Sequence, residues 1–239
     1  MNAAAIIVAV VPHGEHGAVV RFFGESAGVF AAYVPGARSR ALRPVLQPAN
    51  GVNVQLRTRN DSALARASVE LIRARTALAT ARATAIVAEY VTALIARVVQ
   101  EGNVYPRLYS ALDGILDAML ATVDATFWWP AIVKFELLML SELGFGLDLS
   151  HCAATGATCS EADLAFVSPR SSQAVGRAAG LQYASKLLPL PAFFIVGGSA
   201  TRAEVAAGFR TTGFFLEREV LTGRASTLIT ARARMIAMV

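Results

Sequence analysis

Gly51-Val52-Asn53-Val54-Gln55-Leu56-Arg57-Thr58-Arg59 alternates with a period of two: Val52, Val54, Leu56 and Thr58 fall on one face, Asn53, Gln55, Arg57 and Arg59 on the other. Successive side chains of a strand point to opposite faces, so the stretch predicts a half-buried strand whose outer face carries cations. Upstream, Ala3 to Val11, Ala18 to Phe23 and Val29 to Val34 are apolar runs. They are stopped by Pro12 with Gly14, by Gly24, and by Pro35 with Gly36, the punctuation of short strands. Ala65 to Leu71 predicts a fifth. Five short strands within about 70 to 80 residues fit a small barrel of the OB type, which closes its own edges.

Between the third and fourth strands lies Val34 to Asn50, VPGARSRALRPVLQPAN, with three arginines, three prolines and no acid. Pro35, Pro44 and Pro48 remove backbone donors, so neither a long helix nor a central strand fits, and the segment predicts an exposed cationic loop. The charge of the chain follows this pattern. Its net charge is +5, yet residues 1–88 hold ten arginines against four acids (net +6) and residues 89–239 hold twelve basic residues against thirteen acids (net −1). Arginine outnumbers lysine 20 to 2, which base composition alone would explain; the scarcity of acids in the first third it would not. The asymmetry points to a polyanion met by the N-terminal part.

From about Arg73 the period becomes 3.6. Ile86, Tyr90, Leu94 and Val98 form one stripe and Val87, Val91, Ile95 and Val99 another, predicting a helix apolar over a wide arc. Leu108, Leu112, Ile115, Met119, Leu120 and Val123 predict a second, amphipathic helix with Asp113 and Asp117 facing out. Pro130 suits the first turn of a third, ending before Gly144. A Gly-, Ser- and Cys-rich insertion spans 146–180. Leu181 to Leu188, Ala203 to Phe209, Gly213 to Leu221 and Ser226 to Met238 read as further helices. The expected organisation is α+β: an OB-fold β-barrel over 1–72, then a mostly helical domain over 73–239 carrying the insertion.

Mean hydropathy is +0.49, but no run reaches the 18 to 20 apolar residues of a bilayer span, and Met1 to Val11 lacks the charged start and cleavage site of a signal peptide. Two cysteines, Cys152 and Cys159, are too few for a disulfide scaffold. A cytoplasmic address is expected.

Catalytic and metal motifs are weak. His13-Gly14-Glu15-His16 offers two imidazoles and a carboxylate but sits between Pro12 and Gly17, where a tight strand-to-strand turn is the better account. His151-Cys152 with Cys159 supplies one pair at a six-residue gap, whereas structural zinc takes four ligands in close pairs. Adjacent Cys152 and His151 seldom face each other as a nucleophile and base, and no third group orients the imidazole. G-x-S-x-G, GxxxxGK[ST] and a strand-following G-x-G-x-x-G are missing. No enzyme, cofactor or metal is expected. An enzyme built on the insertion, or an RNA- or protein-binding module without annealing activity, are the competing readings. The leading signal is Arg38, Arg40 and Arg43 on the loop with Arg57 and Arg59 on strand four and Arg21 on strand two, the footprint of a nucleic-acid binder. Phe22, Phe23, Phe30 and Tyr33 include candidates for base stacking.

The segments PHGEHGAVVRFFGESAGVFAAYVPGARSRALRPVLQPAN, FELLMLSELGFGLDLSHCAATGA, AFVSPRSSQAVGR, LLPLPAFF and TGFFLERE, in this order, resemble the bacterial RecO family of DNA repair and recombination proteins, in its α-proteobacterial form. The most specific parts are G-A-R-S-R-x-x-R-P-x-L-Q-P and F-E-L-x-x-L-x-x-L-G-F-G-L-D-L-x-x-C-A-x-T-G. The resemblance implies an N-terminal OB-fold and a helical C-terminal domain. It also implies binding of single- and double-stranded DNA, annealing of complementary strands, and work with RecR and single-stranded DNA-binding protein so that RecA replaces the latter, in the cytoplasm at the nucleoid. Some family members carry a four-cysteine zinc module in the insertion. Here Cys152 matches its first position, Thr155 stands at the second, no later pair occurs around Arg170 to Val175, and the insertion is expected to be degenerate. The chain also starts a few residues closer to strand one than many relatives. Lys134 and Phe135 in VKFEL are expected to receive the acidic, apolar C-terminal tail of single-stranded DNA-binding protein.

Overall fold

The structure is a computed structural model that describes residues 2–57, 64–122, 128–222 and 226–239. Five strands come first: β1 (Asn2–His13), β2 (Gly17–Gly24), β3 (Gly28–Val34), β4 (Gly51–Arg57) and β5 (Arg66–Arg73). They close into a barrel in the order β1-β2-β3-β5-β4, antiparallel except where β3 meets β5 in parallel at Tyr33 and Arg66. β1 is long enough to serve two neighbours. It pairs with β4 through Asn2 to Ile6 and with β2 from Ala5 to His13, with a register shift between Ile7 and Ala9; such a bulge bends a strand and lets it turn a barrel corner.

The alternation read in Gly51–Arg57 holds, with Val52 and Val54 inside the barrel beside Ile7, Val20, Phe22 and Ala67. Thr58 and Arg59 lie outside the described residues. His13 ends β1 and Gly14 to His16 form the turn to β2, with Gly14 in the left-handed region at φ 64°. Strand alternation allows at most one of Phe22 and Phe23 outside, and both are fully buried. Phe22 fills the barrel. Phe23 points away from it and is covered by Tyr109, ring centroids 5.7 Å apart. The outer side of β1 and β2 is thus a second apolar face, closed by helices.

Those helices are α1 (Arg82–Val98), entered through a 3-10 turn at Thr76–Ala79, and α2 (Pro106–Ala121). α1 packs on β1 and β2 with Ile86, Val87, Tyr90, Leu94 and Ile95 buried. The barrel ends at Arg73, while the compact unit it belongs to runs from Met1 to Val123 and a second unit from Asp124 to Val239. Asp113 and Asp117 do not simply face out: they are half-buried partners of Arg73 and Arg75.

In the second unit α3 (Trp129–Glu142) has Pro130 in its first turn, where a missing N–H costs nothing. The insertion is more regular than its sequence suggests. β6 (Leu164–Val167), β7 (Ala174–Gly176) and β8 (Leu188–Pro189) form a sheet in the order β7-β6-β8, with α4 (Arg177–Gly180) and a 3-10 turn (Leu181–Lys186) in the connection. The predicted helix over Leu181 to Leu188 therefore ends in a strand. The two predicted helices around Gly213 are one, α5 (Arg202–Phe215), continued by a π turn at Leu216–Val220. Gly213 is there for close approach: a Cβ on it would meet Nη1 of Arg232 at 2.4 Å. Arg232, on α6 (Ser226–Ile236), reaches Glu136 of α3 with Nε and Nη2 each 2.8 Å from its carboxylate, and Thr212 donates its hydroxyl to the same carboxylate at 2.5 Å. Among the described residues, no helix is long and apolar enough to cross a membrane.

Candidate nucleic-acid interface

The loop between β3 and β4 is folded by its own polar groups. Ser39 N donates to Gly36 O, Leu42 N to the Ser39 hydroxyl, and Arg43 N to Ser39 O. Ala37 and Leu46 turn inward and plug one end of the barrel. Asn50 fastens the far end. Its Nδ2 donates to Pro44 O and Val45 O at 3.1 and 3.0 Å, and its Oδ1 accepts from the backbone N–H of Arg75 at 2.7 Å. Arg75 adds a bond to Ala49 O at 3.0 Å, so the loop is clamped from behind. With its interior spent on these contacts, the loop projects Arg38, Arg40 and Arg43 into solvent.

Arg38 leans on the β1–β2 turn, donating to Glu15 O at 3.2 Å. On the other side of that turn His13 meets Tyr33 edge-on at 5.9 Å, and Arg66 lies 5.9 Å from the Tyr33 ring centre. Arg66 is directly opposite Arg57 in the β4–β5 ladder. Like charges directly opposite in a sheet are unfavourable. The arrangement costs the barrel stability. The outer rim thus carries, in spatial order, the loop arginines, the turn, Tyr33, Arg66 and Arg57.

The other positions predicted from sequence divide clearly. Arg21 is half-buried and paired with Glu101 at 3.0 Å, so it is a tie to the α1–α2 connection and not an open cation. Arg59 lies outside the described residues. Of the four aromatic candidates, Phe22 and Phe23 are buried, while Phe30, stacked on Phe22 at 5.3 Å, and Tyr33, beside Arg66, are each half-buried. Arg75 and Arg232 are buried in ion pairs. Phe135 is a correction: it is 1% exposed on the core face of α3 with Ile132, Glu136 and Met139, and cannot offer its ring to a partner, while the neighbouring Lys134 is half-buried. Tyr33 is one of the stacking candidates read from sequence, whereas Asn50 as an anchor and Arg66 as part of the rim are not. A buried Asn beside Pro48, and an Arg facing an Arg across a predicted hairpin, were the available signals.

The insertion does not fit zinc. Cys152 is buried and its Sγ accepts the N–H of Gly176 at 3.2 Å, Thr155 occupies the next ligand position, and Cys159 is exposed. Burial pushes the Cys152 thiol up, but hydrogen bonds from the Thr155 hydroxyl and from the amides of Gly176, Ala154 and Thr155 outweigh it and bring the pKa from the ordinary 9.0 to about 7. The thiol shapes a turn. His151 is held by Ser150, with Oγ 2.7 Å from Nδ1.

The fold defines a class: an OB-like five-stranded barrel followed in the chain by a largely helical region. Residues 1–75 match the family described as recombination protein O N terminal, and residues 80–227 match recombination protein O C terminal. The chain is 42% identical over 230 residues to the DNA repair protein RecO of Rhizobium etli, covering 95% of this chain and 88% of that protein. It is 40% identical to those of Agrobacterium fabrum (92% and 85% covered) and Caulobacter vibrioides (90% and 87%). The chain belongs to the RecO family.

Proposed function

We propose that this chain is a binding protein of DNA repair and homologous recombination, not a catalyst, which holds single- and double-stranded DNA by its phosphates, anneals complementary strands, and works with RecR to help RecA replace single-stranded DNA-binding protein in the cytoplasm at the nucleoid. The observation that carries this reading is the arginine rim: Arg38, Arg40 and Arg43 on a clamped loop, with Arg57 and Arg66 facing each other beside Tyr33. Guanidinium groups fixed on a rigid frame neutralise phosphate without reading bases. A ring beside them gives a base a surface to stack on, worth about 1 to 3 kcal/mol where used. Annealing follows when two strands, each neutralised, are held within pairing distance. Membership of the RecO family supports the same reading.

The test is an annealing assay with complementary oligonucleotides, bare and coated with single-stranded DNA-binding protein, across a salt series. The expected result is acceleration at low salt that fades as salt rises. A chain that leaves the annealing rate unchanged at every salt concentration defeats the proposal.

A further inference from the structure

Behind the basic loop runs a groove of about 840 Å³, within the range of about 300 to 1,000 Å³ typical of built ligand sites. Arg38, Arg40 and Arg43 line one wall together with Pro44 and Pro48. The opposite wall is α1, where partly exposed Ala85 and Ala93 flank the exposed Glu89, and Ala88 and Thr92 lie buried at the base. Small side chains there let another backbone come close. Thr92 offers no free donor, because its hydroxyl is spent on Ala88 O at 2.7 Å within α1. Arg75 also borders the groove, but its charge is matched by Asp113 and Asp117. The excess positive charge therefore lies on the loop, three arginines against Glu89 on the α1 wall.

A nucleic-acid strand is poorly suited to this groove. Phosphates would match the arginines, but among the described lining residues none is aromatic, so bases have nothing to stack on. An amphipathic helix has the opposite properties: an apolar stripe for the alanines and a charged flank for the loop. We propose that this groove docks an acidic amphipathic helix of a partner protein, its apolar side on Ala85 and Ala93 and its carboxylates turned away from Glu89 onto Arg38, Arg40 and Arg43. The inference stands apart from the strand-holding function, although both draw on the loop arginines.

The experiment is fluorescence anisotropy on the full chain with a labelled peptide of about 18 residues, five turns of helix, bearing Leu at i, i+3, i+4 and i+7 spacing and Glu at the flanking positions. Saturable binding is expected, and none by the same peptide with Lys in place of Glu. Ala85→Trp and Ala93→Trp each fill the groove while keeping every arginine, and each should weaken the peptide about tenfold or more. Arg40→Glu should do the same through charge. Thermal unfolding checks that the variants fold, and the two filling positions guard against the failure of one. A labelled single-stranded oligonucleotide titrated in parallel should keep its affinity for the groove-filled variants. Unchanged peptide affinity in the folded Trp variants, or no saturable binding to the parent, overturns the groove. Loss of peptide and oligonucleotide together assigns it to nucleic acid and overturns the proposal equally. Peptide binding without oligonucleotide binding upholds the groove and sinks the strand-holding function instead.

Discussion

Arg75 is fully buried, and its Nη2 lies 2.7 Å from Oδ1 of Asp117 and 2.5 Å from Oδ1 of Asp113. The same side chain holds Ala49 O and its backbone holds Asn50, so one guanidinium joins α2 to the basic loop. Removing both carboxylates as Asp113→Asn with Asp117→Asn leaves a buried cation without countercharge. Because the carboxylates are partly solvated, a loss of about 2 to 3 kcal/mol is expected, below the usual range for a wholly buried pair. Urea unfolding measures it. Arg73→Ala, which removes the half-exposed partner of the same acids, should cost under about 1 kcal/mol.

Loop and salt are linked. If Arg38, Arg40 and Arg43 each meet one phosphate, their combined replacement by alanine should reduce the slope of log affinity against log salt by about two on a single strand. An oligonucleotide titration at several salt concentrations reads the slope directly, and a slope equal to the parent's removes the loop from the contact surface.

Arg57→Glu sets stability against binding. It turns a like-charge pair across β4 and β5 into an opposite-charge pair with Arg66, so the barrel should gain about 0.2 to 1 kcal/mol. Oligonucleotide affinity should fall in the same variant. A midpoint of urea unfolding that drops, or an affinity that holds, contradicts the role given to this pair.

Cys152 imposes a direction on pH dependence. Its folded pKa, about 7, lies below the ordinary 9.0, so between these values the unfolded chain binds more protons. Stability from this group is therefore complete above about pH 9 and is lost as pH falls through 7. Urea midpoints measured from pH 6 to 9 should rise more steeply in the parent than in Cys152→Ala. Iodoacetamide should label exposed Cys159 well before buried Cys152.

Two glycines in helices separate conformational from packing roles. Gly114 has open space where a Cβ would stand, and Gly114→Ala should stabilise α2 by about 0.5 to 1 kcal/mol. Gly213→Ala pushes on Arg232 and loosens its bond to Glu136, so a loss of about 2 kcal/mol or more is expected, with urea unfolding measuring both variants.

Gly213 also shows where sequence reading stops. A glycine in an apolar helical pattern looks like a break, because local preference carries no trace of an arginine arriving from nineteen residues downstream. Asp113 and Asp117 looked solvent-facing for the same reason. Phe23 followed the strand period and still ended up covered, since the barrel has apolar sides within and without. The barrel strands were legible because Gly and Pro punctuate them and β4 alternates. β6 to β8, two to four residues each, are too short to show any period. The loop arginines were legible as charge; the groove behind them, made of alanines in α1, was not.

The bond from Arg75 to Asp117 also bears on synthesis. Asp117 follows Arg75 by 42 residues in the chain, so a barrel formed before α2 is made would hold an uncompensated guanidinium. The first module of this protein is complete only when Asp117 has emerged, and a gene cut after Arg75 should yield a barrel that opens readily and is degraded.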